Sequence, residues 1–145
     1  MPTTTRLPKM SRSVYERLPE SQRYPFPNTD GTVTIDRLGH DGATFRLAVE
    51  LVEGPLFPLG LIVATTALTT DLEAAGVSEA ALSNLLHRHV GGDWGELYEE
   101  DHASNDEALV VGNRILSAYR LATVRIWVIT EWDRSVTTLL RPDDY

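Results

Sequence analysis

The chain has no cysteine. That excludes a disulfide scaffold, a thiol nucleophile, a zinc finger and a cysteine-held iron–sulfur site. Lysine is nearly absent: twelve of the 13 basic residues are arginine and the remaining one is Lys9. Nucleases that pair carboxylates with a catalytic lysine are disfavoured accordingly. Long apolar runs are missing. The longest, Leu59 to Ala64, is interrupted by Gly60 and falls far below the roughly 20 residues of a membrane span. No basic start followed by an apolar run marks a signal peptide, so a soluble cytoplasmic protein with no membrane partner is expected. Three motifs are also absent: a phosphate loop ending in Gly-Lys-Ser/Thr, a Gly-x-Gly-x-x-Gly turn and a Gly-x-Ser-x-Gly elbow.

What is present fits one domain, or one domain with an arm. At 145 residues with 42% hydrophobic content, a real core forms without covalent staples. The net charge of −8 disfavours duplex binding by counterion release, which calls for a basic face. Charge is uneven. Residues 1–27 hold Arg6, Lys9, Arg12, Arg17 and Arg23 against Glu16 and Glu20, a net +3. Residues 93–107 hold Asp93, Glu96, Glu99, Glu100, Asp101, Asp106 and Glu107 with no lysine or arginine. Such a run is a solvated helix face or a docking surface for a basic partner.

Proline marks a boundary. Seven of the eight prolines lie at or before Pro58, and residues 59–141 have none. Residues 1–31 read as an extended arm, with one helical turn over Ser13–Leu18. Residues 32–54 read as a β-hairpin: Thr32–Asp36, a turn over Arg37–Gly42, then the alternating Ala43–Leu51. Residues 55–145 read as a compact α+β core. It opens with a short strand, Leu59–Ala64. A helix capped by Thr65 or Thr66 follows and stops at Gly76. A second runs from Glu79 to Val90 behind Ser78, with Leu82, Leu85, Leu86 and Val90 on one face. A third lies within Tyr98–Val111, stopped by Gly112, with Leu97, Ala108, Leu109 and Val111 buried. Strands over Arg114–Leu121, Val124–Trp132 and Ser135–Leu140 form a three-stranded antiparallel meander. Helices followed by strands argue for α+β rather than a doubly wound sheet.

Two constellations carry candidate chemistry. The first is Gly91-Gly92-Asp93-Trp94-Gly95-Glu96. Asp93 suits an Asx-type cap with Trp94 anchoring the loop, or the loop faces a ligand with Trp94 as a stacking surface. The second lies on the meander: Arg114, Ser117, Tyr119, Thr130, Glu131, Arg134, Thr137 and Thr138, joined by His89 from the helix before it. A metal-independent ribonuclease would use His89 or Glu131 as base and Arg114 or Arg134 as the transition-state clamp. The plain alternative is that Thr and Tyr are good strand residues, Glu131 and Arg134 pair at the turn, and His89 caps or packs at a helix end. A metal site built from His89, Asp93 and an acid between Glu96 and Asp101 is a weaker option. His87 and His89 diverge on a helix, so no metal or cofactor is expected.

A longer pattern runs from Phe57 to Tyr145. It comprises Pro58-Leu59-Gly60 with Ile62-Val63-Ala64-Thr65, then Arg88-His89, then Gly92-Asp93-Trp94-Gly95-Glu96. It continues with Glu100-Asp101, Asn105, Ala108-Leu109, Gly112 and Arg114-Ile115-Leu116-Ser117-Ala118-Tyr119. It closes with Trp127-Val128-Ile129-Thr130-Glu131, Asp133-Arg134-Ser135-Val136-Thr137-Thr138, Pro142 and Tyr145. This pattern resembles a family of small proteins carried on bacterial plasmids and other mobile elements. Relatives tend to have Pro-Gly near Thr66-Ala67 and Gly-Lys near Ala122-Thr123, and residues 1–54 stand outside the family core. Some members are labelled type I restriction methyltransferase subunits. That chemistry requires a cofactor-binding domain and an Asn/Asp-Pro-Pro-aromatic loop, and this chain has no Pro-Pro pair. The resemblance implies an association with mobile DNA.

The resulting expectation is a non-enzymatic accessory protein that binds a protein partner. Its contact residues would be Asp93, Trp94, Glu96, Glu99, Glu100 and Asp101. A homodimer through an exposed edge in the residue 32–51 hairpin is a further option. The alternative is the ribonuclease or toxin-like enzyme on the meander.

Overall fold

Residues 7–145 are described by the computed structural model of the chain, and the first six residues of the expected arm lie outside them. The residue 32–54 segment forms the hairpin its alternation calls for. Strands β2 (Val33–Leu38) and β3 (Thr44–Val52) pair antiparallel, with Val33 opposite Val49 and Leu38 opposite Thr44. Strand β1 (Lys9–Ser11) adds to β3 in parallel, giving the order β1-β3-β2.

The expected extended arm is therefore structured over much of its described length. After β1 come helix α1 (Arg12–Arg17) and a 3-10 turn over Glu20–Gln22. The reason is burial. Met10, Val14 and Leu18 cover Ile35 and Val49, which the hairpin alone would leave wet. The hairpin edge is not open along its length either: β3 is central, and Arg23–Tyr24 bridges β2 at Thr34 and Ile35. That bridge occupies part of the edge expected to serve a homodimer.

The second sheet holds the compact core. Its strands are β4 (Leu61–Ala64), β5 (Ile115–Leu121), β6 (Val124–Thr130) and β7 (Val136–Leu140), ordered β4-β7-β6-β5. β5, β6 and β7 are the expected meander, and β4 extends it in parallel with Leu61 opposite Val136. Between β4 and β5 lie α2 (Thr66–Ala74), α3 (Glu79–Val90) and α4 (Glu99–Val111). Their ends follow capping chemistry. Thr65 and Ser78 side chains accept the N–H of Leu68 and Ala81, both at 3.2 Å. Gly112, with φ +79°, closes α4 through its N–H to the Ala108 carbonyl at 2.9 Å. The fold class is α+β, as expected.

Leu68, Leu72 and Leu85 pack on Tyr119, Ile126, Val128 and Leu139. A neighbouring cluster joins Phe57, Trp94, Leu97 and Ala108 to Ile115 and Ala118. Two expectations shift. Val111 is exposed in the last turn of α4, where no element among the described residues covers it. β6 ends at Thr130 rather than Trp132, because the chain turns back there: the Arg134 N–H reaches the Glu131 carbonyl at 2.9 Å and Arg134 adopts φ +60°.

Candidate functional site

The Asp93–Trp94 loop is built from the end of α3. Arg88 Nε donates to Asp93 Oδ2 at 2.8 Å, and the Gly95 N–H donates to Asp93 Oδ1 at 3.2 Å, the expected Asx-type turn. Tyr119 donates its hydroxyl to the Asp93 carbonyl at 2.5 Å, while the Arg88 guanidinium lies over the Tyr119 ring. Burial, then the Asp93 charge, drives the Tyr119 pKa far above its usual value, so the hydroxyl stays a donor. Trp94 is 1% exposed against Phe57 and His89. It anchors the loop and offers no stacking surface, which removes it from the set of accessible partner contacts.

Trp94 leads to a residue pair that sequence reading overlooked. Its Nε1 donates to Asp106 Oδ1 at 3.0 Å. The same carboxylate takes Arg37 Nη1 at 2.7 Å and Nη2 at 3.0 Å, a two-point contact. Arg37, expected in the turn, lies in β2, buried, and fastens the hairpin to the loop. The only available signal was its position two residues after Ile35, on the same strand face.

Gly95 permits the loop to lie along β5. A parallel bridge joins Gly95 to Ala118, the Ala118 N–H donates to the Trp94 carbonyl at 3.0 Å, and the Glu96 N–H donates to the Ala118 carbonyl at 2.9 Å. Gly95 has φ +80°, and a Cβ there would overlap the Ala118 carbonyl oxygen. We expect Gly95→Ala to cost at least about 2 kcal/mol in urea unfolding, from strain and displaced loop together. An unchanged midpoint would show that the loop is not held against β5.

The meander candidates divide into three groups. His89, Ser117, Thr130 and Thr137 meet in the interior, each fully buried. Thr137 donates to the Leu59 carbonyl at 2.7 Å, so its oxygen accepts from Thr130, also at 2.7 Å. The Thr130 oxygen then accepts from His89 Nε2–H at 2.9 Å, and His89 Nδ1 accepts the Ser117 hydroxyl at 2.6 Å. The bonding order assigns a neutral Nε2–H imidazole. Desolvation, and secondarily Arg134, lowers its pKa to about 3. A serine hydroxyl on a histidine resembles a nucleophile pair, but this serine is sealed from solvent and the second nitrogen meets a threonine, not a carboxylate.

The second group is structural at the turn. Arg134 donates to the carbonyls of Asn113 at 2.7 Å, Glu131 at 3.1 Å and Ala108 at 3.1 Å. It binds the Glu131 backbone, not the carboxylate, and ties the β6–β7 turn to the end of α4. Thr138 is half-buried in β7 opposite Ile129. The third group is accessible. Arg114 donates to the Tyr145 hydroxyl at 2.8 Å. With Glu96, Asp101, Arg125 and Trp127, it lines a cavity of about 400 Å³.

The acidic run also divides. Asp93 and Asp106 point inward to arginines, whereas Glu99, Glu100 and Asp101 stand exposed in the first turn of α4, where carboxylates favour the helix dipole. Among the described residues no group of three or more histidine or acidic side chains is placed to hold a metal ion, and no helix is long and apolar enough to cross a membrane.

The two edges of the core sheet are treated differently. The β5 edge is sealed by the Trp94–Glu96 backbone and by Asn105, whose amide donates to the Leu116 carbonyl at 2.6 Å and accepts its N–H at 3.1 Å. Among the described residues the β4 edge has no such cover. Leu61, Ile62 and Val63 are exposed at 67%, 46% and 39%. Leu61 and Thr65 direct their N–H groups to β7, so alternation turns the peptide groups of Ile62 and Ala64 outward.

These features define a small α+β protein with one sealed and one open sheet edge. In comparisons with known proteins, no family model, no curated protein and no solved structure matches the chain.

Proposed function

We propose that this chain is a non-enzymatic accessory module that binds a protein partner by accepting an extended segment along β4. One observation carries the reading: an apolar edge strand with outward peptide groups, in a sheet whose other edge is closed by dedicated contacts. Natural proteins blunt free edges with charge, proline or cover. Leu61–Ala64 has none of these. Strand addition uses such an edge, with main-chain hydrogen bonds giving affinity and alternate side chains giving selectivity. The exposed carboxylates Glu99, Glu100 and Asp101, within a net charge of −8, favour a partner with basic character. The resemblance to plasmid-borne proteins suggests a partner in the processing or defence of mobile DNA.

The test begins with the partner isolated from nuclease-treated host lysate. Ile62→Pro removes an outward N–H while sparing the pairing with β7. Leu61→Lys places a charge on the exposed strand without touching the backbone. Each should weaken the isolated complex at least tenfold with the fold intact by circular dichroism, and binding should slow amide exchange at Ile62 and Ala64. A complex indifferent to both variants overturns the β4 reading. RNA cleavage that Arg114→Ala stops would instead favour a ribonuclease using the cavity shared by Arg114, Glu96 and Asp101.

A further inference from the structure

The two faces of the core sheet are unlike. One packs on the helices through Tyr119, Ile126, Val128 and Leu139. Alternation turns Leu116, Ala118 and Arg120 of β5 and Arg125, Trp127 and Ile129 of β6 to the other. On that face Leu116 and Trp127 are half-buried, while Arg120 and Arg125 are exposed.

Three arginines stand along it. Arg120 and Arg125 are directly opposed across the strand pair, where like charges are destabilising. Arg12, Arg37, Arg46, Arg88 and Arg141 all hold carboxylates, but among the described residues Arg120 and Arg125 hold none. Arg114, just before β5, donates to the Tyr145 hydroxyl at 2.8 Å, and its guanidinium lies 5.6 Å from the centre of that ring. Tyr145 in turn meets Trp127 edge-on at 5.7 Å. The row thus runs from an arginine through two aromatic rings to an arginine pair. At about 3.3 Å a residue, Arg114 and Arg120 stand roughly 20 Å apart along β5.

The cavity of about 400 Å³ lies against the middle of this row. Leu116, Ala118 and Trp127 line it from the sheet. Glu96, Tyr98 and Asp101 line it from the start of α4 and the segment before it. Tyr98 stacks on His40 at 4.2 Å and is 53% exposed. Asp143 lines an open pocket beside Arg125. None of the three carboxylates pairs with an arginine of the row.

These features select among anionic partners. A lipid surface or an acidic peptide brings negative charge alone, which the carboxylates repel. A duplex hides its base faces. A single nucleic-acid strand brings phosphates for the arginines, ring faces for Tyr98, Trp127 and Tyr145, and base amino groups that donate to Glu96 and Asp101. A free mononucleotide is too short to meet both ends of the row.

We propose that this sheet face binds single-stranded nucleic acid, with one base in the cavity and flanking phosphates on Arg114 and on the Arg120–Arg125 pair. The surface is separate from the outward peptide groups of β4 and stands whether or not that edge takes a protein strand.

Fluorescence anisotropy with end-labelled octamers tests this on the full chain. The probes are oligo-C and oligo-U RNA, oligo-C DNA, a DNA duplex and an octamer of glutamate. Oligo-C should bind at least about tenfold more tightly than the duplex or the peptide, and more tightly than oligo-U, which has no amino group. Its affinity should fall with salt at a log–log slope of about −2, for about three phosphates neutralised on a single strand. Replacing both Arg120→Gln and Arg125→Gln should weaken binding at least about tenfold and flatten the slope to about −0.7. The urea midpoint of that variant should hold or rise, since a like-charge pair is removed. Tyr98→Ala should weaken binding about fivefold or more without changing the slope, and Ile62→Pro should leave it unaltered. No single-strand binding at low salt, duplex, peptide or oligo-U bound as tightly as oligo-C, indifference to the arginine variant, or loss through Ile62→Pro overturns the proposal.

Discussion

Acidification from pH 7 to pH 4 is expected to remove about 3 kcal/mol of stability through His89 alone. In the folded chain, burial and then the Arg134 charge hold its pKa down from 6.5 to about 3. The unfolded chain takes up the proton near pH 6.5, while the folded chain resists until about pH 3. Between these values the unfolded state binds more protons, so stability falls as pH falls. His102, whose pKa burial also lowers, adds in the same direction. So do Asp30 and Asp133, lowered by Thr32 and Ser135, and Asp144, lowered to about 2 by hydrogen bonds from Arg141 and Thr65. Their contributions also fade as acid protonates them. His89→Gln separates the terms: it loses stability at pH 7, yet its further loss between pH 7 and pH 4 should be about 3 kcal/mol smaller than that of the unaltered chain. Urea unfolding at the two pH values measures both. Equal losses would show that His89 does not stay neutral in the fold, and a ¹⁵N titration would then reveal its charged form above pH 5.

The same histidine shows what the sequence made legible and what it did not. The 3.6-residue period identified α3 from Ser78 to the glycine pair, with Leu82, Leu85 and Leu86 on one face. His89 follows Leu85 by four and Leu86 by three, which places it on that face. The expectation of a helix-end role gave weight to its polarity over its position. Its partners lie on three strands, and no local pattern registers Ser117, Thr130 and Thr137 against one ring. The meander, the glycine stops and the Asx turn at Asp93 were legible because each is set within a few residues. β1 was not, since three residues carry no periodicity and its pairing with β3 spans about forty residues of chain. The parallel pairing of β4 with β7 is likewise non-local. It decides which edge stays open, so the site favoured by the geometry lay outside the sequence reading. The acid run was legible as charge, but the division between inward Asp106 and outward Glu99–Asp101 depends on where β2 brings Arg37.

That dependence makes Asp106 the most sensitive single position on the surface between hairpin and core. Asp106→Ala should cost about 3–5 kcal/mol, the range for breaking a buried pair, because it leaves the Arg37 guanidinium uncompensated. The side chains of the pair are 5% and 15% exposed, so water relieves little of the cost. Trp94 Nε1 loses its acceptor at the same time. Arg37→Met alone leaves a carboxylate that can still accept from Trp94 and is nearer solvent, so its cost should be smaller. The double variant Arg37→Met, Asp106→Leu should recover most of the stability lost by Asp106→Ala, since apolar groups of similar volume often replace a buried pair at little cost. A urea series on the three variants gives the coupling energy. Additive losses would mean that the two side chains do not sense each other, and the link between the hairpin and the Trp94 loop would have to lie elsewhere.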